Sequence, residues 1–168
     1  MTAAQATIAY VLVQRLLELA WARRNTRRLL AQGAIEHGAS HYRLFVLLHA
    51  AWLGAVAFTA LPDGPVNAGW LAVYAALQIA RGWVLASLGP YWTTRIITVP
   101  GVPLVQRGPY RFVRHPNYWV VAAELAVLPL VFGQWMIAAV FTIANALLLR
   151  VRIASEDAAL APRRQVIG

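Results

Sequence analysis

The sequence predicts an all-α integral membrane protein with five transmembrane helices, the last two forming a C-terminal hairpin preceded by a long interfacial or re-entrant loop. Three observations indicate this class. Of the 168 residues, 60% are hydrophobic and 12% are charged, whereas a typical soluble domain is about 25% charged. The apolar residues are collected into five runs, and a helix needs roughly 17–25 such residues to cross a bilayer. The arginines fall almost entirely between these runs.

The same composition excludes several other classes of protein. So few charges cannot cover the surface of an ordinary soluble enzyme, and the apolar content excludes a disordered chain. The absence of cysteine excludes a disulfide scaffold. The net charge of +9 does not indicate nucleic-acid binding, because the arginines lie in the gaps between apolar runs. There is no internal repeat or linker, so residues 1–168 are expected to form a single membrane domain.

Turn signals separate the five expected spans. The first begins at the N-terminus and is interpreted as a retained helix, since it lacks the charged start, short apolar core and cleavage site of a signal peptide. Residues 62–65 form a turn after the second span, and only Gly133 and Gln134 join the fourth to the fifth, which predicts a tight hairpin. The spans are expected at about 2–22, 44–61, 66–88, 117–132 and 135–149.

The arginines also predict an orientation in the membrane. All fifteen except Arg15 and Arg81 fall on one side of the five-span arrangement. Cytoplasmic loops carry the excess of arginine and lysine, so the N-terminus is expected outside and the C-terminus in the cytoplasm. The lack of lysine and the abundance of alanine are typical of a GC-rich bacterial genome. The expected location is therefore the bacterial inner membrane, with membrane lipids as partners.

Four charged residues lie inside expected spans, where each costs about 2.5–3.5 kcal/mol when it is central. Arg15 and Glu18 share a helix face and can pair. Arg81 can pair with Glu124 between two helices. Such groups either fix helix packing or take part in a functional site, and the same two interpretations apply to Asn145.

The histidines do not predict a metal site. His37, His41 and His49 lie near one another, but no cysteine or HExxH motif accompanies them. The polar segment 33–42 around the first two is either a loop that folds over a site or a simple connector.

Residues 90–116 form the longest gap between spans, and loops longer than about 12–15 residues are usually functional or disordered. This loop is too apolar for disorder, so it is expected to pack on the helices. It ends just before a helix N-terminus, a position that binds anionic groups; the alternative is a basic turn at the membrane surface. The residues gathered there include Tyr110, Arg111, Arg114, His115, Pro116 and Tyr118.

A second polar cluster follows the last span. Arg152 and Glu156 are four residues apart and share one face if the helix continues past the membrane interface. The short hairpin returns them to the side of His115, so both clusters can line one pocket at the cytoplasmic interface. The alternative for the pair is a solvated surface salt bridge.

The two clusters together resemble the isoprenylcysteine carboxyl methyltransferase family over about residues 108–160. The resemblance is carried by Gly108-Pro109-Tyr110-Arg111-x-x-Arg114-His115-Pro116-x-Tyr118, a helical hairpin, and Arg152-Ile153-x-x-Glu156-Asp157-x-x-Leu160. Two upstream motifs resemble a bacterial branch often encoded beside type III polyketide synthases, whose members are similar to methylases of alkylpyrone or alkylresorcinol hydroxyls. These motifs are Glu36-His37-Gly38-x-x-His41-Tyr42 and Trp92-Thr93-Thr94-Arg95-Ile96-Ile97.

This resemblance implies S-adenosylmethionine as the methyl donor, with S-adenosylhomocysteine as its product, bound from the cytoplasm by a core of about residues 90–160. The implied catalytic residues are Arg152, near the methyl acceptor, and Glu156. The implied cofactor-binding residues are Tyr110, Arg111, His115, Pro116, Tyr118 and Glu156, and the residues expected to bind substrate are Arg95, Trp119, Glu124 and Asn145. The chain departs from the family at Trp119, where glycine is frequent, and at Asp157, where a second glutamate is usual.

The predicted activity is methyl transfer to a lipophilic acceptor, which is either the carboxylate of an isoprenylcysteine-like, prenylated substrate or the hydroxyl of an alkylated polyketide. Displacement at a sulfonium needs positioning and electrostatics more than covalent catalysis. A carboxylate needs only an arginine to orient it, whereas a phenol or enol must lose a proton, which Glu156 or His115 could accept. No GxGxxG motif follows an expected strand, so a soluble Rossmann methyltransferase is excluded.

Two other functions stay open from the sequence. One is a sterol-reductase-like membrane enzyme that uses NADPH, and the other is a small membrane protein without catalytic activity. The sequence does not determine the oligomeric state.

Overall fold

The computed structural model describes residues 2–60 and 64–164, with side chains as far as residue 161. Within these residues the fold comprises five α-helices and one small antiparallel sheet. The helices are α1 (Ala3–Ala31), α2 (Ala39–Thr59), α3 (Ala68–Leu88), α4 (Pro116–Val131) and α5 (Trp135–Arg164), and the strands are β1 (Ile35–His37) and β2 (Ile96–Thr98). Two short 3-10 turns, Gly89–Tyr91 and Gly108–Arg111, lie in the loop between α3 and α4.

Local side chains define where three helices begin. The Thr2 hydroxyl accepts a hydrogen bond from the Gln5 backbone N–H at 3.3 Å, and the Gln5 side chain accepts one from the Thr2 N–H, so α1 starts with a capping box. The Asn67 side chain caps α3 by accepting a bond from the N–H of Trp70 at 3.1 Å. α4 begins with Pro116, which has no N–H to leave unpaired in the first turn.

The predicted C-terminal hairpin is confirmed. α4 ends at Val131 and α5 begins at Trp135. Between them Gly133 has a φ of 71°, a left-handed conformation that glycine adopts without a steric penalty. α5 continues for 30 residues and passes its expected end at 149, because an apolar run marks where a helix leaves the bilayer and not where its backbone stops being helical. For the same reason α1 extends beyond residue 22 to Ala31.

The lengths and composition of the helices indicate a membrane protein. Three of the described helical segments are long and apolar enough to cross a bilayer: Ala39–Thr59, Ala68–Tyr91 and Trp135–Ala161. α4 is apolar but has 16 residues, which span about 24 Å, less than the roughly 30 Å of a hydrocarbon core. α1 is long enough but carries many charges. Three candidate spans are therefore present, and the spanning roles of α1 and α4 stay predictions; Pro62 and Asp63 of the expected turn lie outside the described residues.

The predicted helical class is confirmed, and the small two-stranded sheet is a feature that the sequence did not predict. β1 comes from the polar segment 33–42 and pairs with β2 from the long loop, with Glu36 opposite Ile97. Three-residue strands carry too little periodicity to be recognised in a sequence, and these two pair across about sixty residues. The sheet ties the connector between α1 and α2 to the loop before α4.

The apolar core lies where α1, α2, α3 and α4 meet. Trp52 of α2 is buried there, and its indole N–H donates a hydrogen bond to the Leu125 carbonyl at 3.2 Å. A buried indole needs such a partner, since an unpaired N–H costs free energy in an apolar environment. The buried residues of this cluster are Val11, Trp52, Val56, Tyr74, Leu125, Val127, Leu128 and Val131.

A four-charge network lies beside this core. Arg15 contacts Glu18 at 3.3 Å, and Arg81 contacts Glu124 at 2.9 Å, so both predicted pairs are confirmed. The structure also joins the two pairs, since Arg15 contacts Glu124 at 2.8 Å and the Nε of Arg81 contacts Glu18 at 2.6 Å. The network is neutral and connects α1, α3 and α4. Gln78 completes it by donating to Glu124 at 2.8 Å.

We expect Arg81→Met to destabilise the protein by about 3–5 kcal/mol, because it leaves buried carboxylates without their full compensation. The matched control is the double variant Glu18→Met/Arg81→Met, which is neutral and keeps the Arg15–Glu124 contact at 2.8 Å. It should lose less stability than the single variant. Thermal unfolding of both in detergent measures the difference, and a double variant less stable than Arg81→Met would contradict this account of the network.

Candidate active site

A cavity of about 580 Å³ opens between the long loop and the ends of the helices. The end of α1 contributes Leu29, the end of α3 contributes Leu88, and the first turn of α4 contributes Asn117 and Tyr118. The late turns of α5 contribute Arg152, Glu156 and Leu160, and most of the remaining wall comes from residues 91–115 of the loop. The cavity therefore lies at the end of the helix bundle where the two polar clusters of the sequence meet.

The structure brings most of the sequence-predicted site residues into this one cavity. Seven of them line it: Arg95, Tyr110, Arg111, His115, Tyr118, Arg152 and Glu156. Pro116 is buried in the first turn of α4, where it fixes the backbone between His115 and Tyr118.

Three residues expected to bind substrate lie outside the cavity lining. Glu124 is buried in the four-charge network, about two turns along α4 from Asn117. Asn145 is buried on α5, about two turns before Arg152. Trp119 is largely exposed, because consecutive helical residues are rotated by about 100° and its neighbour Tyr118 occupies the cavity face.

A chain of polar contacts crosses the cavity wall from α5 to α4 and back. The Nε of Arg152 donates to the Tyr118 hydroxyl at 2.9 Å, and that hydroxyl donates to Oε2 of Glu156 at 2.5 Å. The same carboxylate oxygen lies 3.4 Å from Nδ1 of His115, whose Nε2 lies 3.2 Å from Oδ1 of Asp157. The His115 and Tyr118 rings stack with centroids 5.4 Å apart. Arg152 and Glu156 share a face as expected, and they are linked through Tyr118 and not by the surface salt bridge that was the alternative interpretation.

Arg152 is held by aromatic and carbonyl groups. Its Nη2 donates to the Thr94 carbonyl at 2.7 Å, and its guanidinium carbon lies 5.1 Å from the centre of the Phe45 ring and 5.7 Å from that of Tyr118. Cations are attracted to aromatic faces at such distances. Within the described part of the chain no carboxylate lies within ion-pair distance of Arg152. Its positive charge is therefore available to an anionic group in the cavity.

The β1–β2 sheet braces the wall that carries Thr94. Arg95 pairs with Glu36 at 2.8 Å and lies 4.8 Å from the centre of the Tyr42 ring. The Tyr42 hydroxyl is 3.1 Å from Oγ1 of Thr94. His37 in β1 is 2.8 Å from the hydroxyl of Thr98 in β2. None of the residues 33–42 lines the cavity, so this segment supports the loop from behind.

The residues that sequence reasoning missed include two with buried polar atoms in the cavity lining and one that holds the cavity wall. Trp92 and Asn117 line the cavity, and in the part of the chain that the structure describes neither the buried Nε1 of Trp92 nor the buried side-chain oxygen of Asn117 has a hydrogen-bond partner. Asn25 of α1 donates to the carbonyls of Gly89 and Trp92 at 3.2 and 2.9 Å and fixes the turn between them. The position of Asn117 beside His115 and Pro116 was a usable signal, whereas the roles of Asn25 and Trp92 depend on contacts between distant segments.

The pKa values of His115 and Tyr110 are both raised above their ordinary values. The contact with Glu156 raises the pKa of the His115 imidazole above its ordinary value, against the opposing effect of burial, and the charge of Asp157 adds to the rise. Burial raises the pKa of the Tyr110 hydroxyl, and the negative charge of Glu156 raises it further. His115 therefore holds its proton to higher pH than an exposed histidine.

A known protein family matches the segment that forms most of this cavity. The model of the isoprenylcysteine carboxyl methyltransferase (ICMT) family matches residues 70–162, which is more than half of the chain. The chain belongs to the ICMT family. The match runs from the start of α3 to the end of α5 and includes all the cavity-lining residues named above except Leu29. Membership in the ICMT family indicates a membrane methyltransferase, in agreement with the resemblance found in the sequence.

Two bacterial relatives match along most of the chain. The uncharacterized protein YpbQ of Bacillus subtilis (strain 168) is 45% identical over 157 residues, which cover 91% of this chain and 94% of the relative. An uncharacterized protein of Haemophilus influenzae is 28% identical over 159 residues, which cover 92% of each chain. No solved structure matches the chain.

We expect the stability contributed by His115 to fall as the pH rises. A group whose pKa is higher in the folded than in the unfolded state stabilises the folded protein fully at pH values below its unfolded pKa, which is about 6.5 for histidine. This stabilisation is lost as the pH rises through the folded pKa. The melting temperature of the wild type should therefore exceed that of His115→Gln at pH 5.5, and the gap should narrow towards pH 9. Melting curves in detergent across this range measure it, and a gap that widens with pH would contradict the assignment.

Proposed function

We propose that this protein is a membrane-embedded methyltransferase that transfers the methyl group of S-adenosylmethionine to a lipophilic acceptor. One observation carries the proposal. A single cavity, formed mostly by the segment that defines family membership, holds an arginine that pairs with no carboxylate among the described residues, and a carboxylate linked to it through Tyr118. Arg152 suits an anionic acceptor oxygen, and Glu156 suits a cation or a proton.

The residues of the cavity fit the proposed cofactor. S-adenosylmethionine carries two cationic groups, a carboxylate, a ribose and an aromatic base. The Glu156 carboxylate can face a cationic group, and Arg111 can face the carboxylate. The rings of Tyr110 and Trp92 offer faces for the base, and the unpaired Nε1 of Trp92 offers it a hydrogen bond. The volume of about 580 Å³ lies within the roughly 300–1,000 Å³ typical of small-molecule sites.

When bound, the cofactor supplies an electrophilic methyl group on a sulfonium, and the protein contributes position and charge. Arg152 orients the acceptor oxygen, since the contacts with Thr94, Phe45 and Tyr118 restrict its guanidinium. Glu156 and His115 contact each other at 3.4 Å and provide the groups that can take up a proton. Leu29, Leu88 and the apolar residues of the long loop give part of the lining a surface suited to a lipophilic acceptor.

The cavity lies near the membrane interface, where a lipophilic acceptor and a polar cofactor can meet. Glu156 is 21 residues beyond the start of α5 at Trp135, or about 32 Å along the helix, close to the thickness of a hydrocarbon core. The acceptor oxygen belongs either to an isoprenylcysteine-like carboxylate or to the hydroxyl of an alkylated polyketide. The two motifs that resemble the polyketide-associated branch each contribute two residues to the paired strands β1 and β2, and the second motif also contains Thr94, whose carbonyl accepts from Arg152.

We expect Arg152→Lys and Glu156→Gln to fold normally yet lose most turnover. Lysine keeps the charge of Arg152 but loses the planar fork that contacts both Tyr118 and Thr94. Glutamine keeps the shape of Glu156 but removes its charge. The turnover of each variant should fall by about a hundredfold or more. For Glu156→Gln this is the size typical of a lost acid–base group, and for Arg152→Lys it is the size typical of a misplaced reactant. Arg152→Lys should keep most of its affinity for S-adenosylhomocysteine.

The assay is transfer of labelled methyl from S-adenosylmethionine to a synthetic alkylresorcinol and to a prenylcysteine, with calorimetry in detergent for cofactor binding. Trp119→Phe is the control, because this exposed residue lies outside the cavity. Near-normal turnover in both site variants would remove their catalytic roles. A wild-type protein that binds NADPH and not S-adenosylhomocysteine would favour the reductase function, and one that binds neither would favour a non-catalytic protein.

The proposed orientation places the N-terminus outside and the C-terminus in the cytoplasm of a bacterial inner membrane. Reporter fusions ending at Gly101, in the loop before α4, and at Gly133, in the hairpin turn, test whether α4 crosses the bilayer. Alkaline phosphatase should be active only after Gly133, and green fluorescent protein should fluoresce only after Gly101. Two fusions that report the same side would show that α4 does not cross, and the five-span arrangement would be wrong.

A further inference from the structure

A path of polar groups leads out of the cavity through His115. The Glu156 side chain is 26% exposed and lines the cavity, the His115 side chain is 12% exposed, and the Asp157 side chain is 36% exposed and is absent from the cavity lining. The two ring nitrogens of His115 face the two carboxylates, Nδ1 towards Glu156 at 3.4 Å and Nε2 towards Asp157 at 3.2 Å. The imidazole thus separates a carboxylate on the cavity side from one on the outer side.

We propose that Glu156, His115 and Asp157 form a proton relay that carries the proton of a hydroxyl acceptor from the cavity to the exterior. The relay rests on the proposed methyltransferase function and adds to it a role for Asp157, which lies outside the cavity lining. An ionised carboxylate acceptor has no proton to lose. The relay therefore acts only when the acceptor is a hydroxyl.

The chemistry balances with one proton released in each turnover. The acceptor O–H bond breaks, its electron pair forms the new bond to the methyl carbon, and the electron pair of the broken carbon–sulfur bond stays on sulfur, which becomes a neutral thioether. The proton passes to Glu156, then to Nδ1 of a neutral His115. The Nε2 proton leaves at the same time for Asp157, and Asp157 releases it to water. His115 returns to its starting tautomer by a ring flip or by proton exchange with solvent.

The relay predicts a specific pH dependence. His115 must be neutral to accept a proton at Nδ1, so turnover with a hydroxyl acceptor should rise with pH as the imidazole deprotonates. Among the described residues, the groups beside the relay include Tyr118 on α4, Arg152 on α5 and Tyr110 in the 3-10 turn before α4. Burial raises the pKa of the Tyr110 hydroxyl and the charge of Glu156 raises it further, so this hydroxyl stays protonated near neutral pH. The rise therefore follows His115.

The decisive variant is Asp157→Asn, compared with Asp157→Glu, which keeps a carboxylate on the outer side. We expect Asp157→Asn to slow methylation of an alkylresorcinol by at least about tenfold, less than the loss of a general base itself because water can partly replace the relay. Its rate with a prenylcysteine carboxylate and its affinity for S-adenosylhomocysteine should match the wild type. Added imidazole should restore the alkylresorcinol rate, and Asp157→Glu should need no rescue.

The outcomes separate the relay from the proposed function. Equal slowing with both acceptors, absence of imidazole rescue, or an alkylresorcinol rate that does not rise with pH in the wild type would each overturn the relay. So would a wild type that methylates only the carboxylate, since the proposed methyltransferase function would then stand without a proton to move. A wild type that binds no S-adenosylhomocysteine and methylates neither acceptor would overturn the proposed function and, with it, the relay.

Discussion

The fold depends on the high cost of an unpaired charge in an apolar bundle. Arg15, Glu18, Arg81 and Glu124 neutralise one another only when α1, α3 and α4 are held at one depth and one rotation. Desolvation makes any other arrangement expensive, because sliding a helix by one turn would separate the partners. The network thus fixes relative positions that non-directional apolar packing would leave less defined.

The positions of α1 and α4 in turn determine where the cavity residues lie. With α1 fixed, Asn25 reaches the carbonyls of Gly89 and Trp92 and secures the turn that starts the long loop. Because α4 is fixed, His115 and Tyr118 lie at the end of the bundle, where both contact Glu156 of α5. α4 has 16 residues, whereas α5 has 30 and runs back along the whole length of α4. The late turns of α5 therefore reach the first turn of α4, where Arg152 and Glu156 contact Tyr118. The unequal lengths of two hairpin helices therefore create the polar end of the site.

Charge is then distributed unevenly within the cavity. Glu156 is engaged by Tyr118 and His115, whereas Arg152 is surrounded by the Phe45 and Tyr118 rings and the Thr94 carbonyl. A direct salt bridge between the two would have neutralised both groups and left little charge for a ligand. The Tyr118 hydroxyl, placed between them, keeps each oriented and available. This separation is the feature of the site that suits the proposed methyl transfer.

The sequence by itself determined the membrane class, the C-terminal hairpin, the pairs Arg15–Glu18 and Arg81–Glu124, and the meeting of the 108–118 and 150–157 clusters. Apolar runs, turn residues and helical spacing encode these features locally. Only the tertiary structure decided that Tyr118 bridges Arg152 and Glu156, that β1 and β2 pair behind Thr94, and that Glu124 belongs to a packing network outside the cavity lining. Spacing along one helix shows which residues share a face. Which partner that face meets depends on the rotation and depth of other helices, and those are set by contacts between residues far apart in the chain.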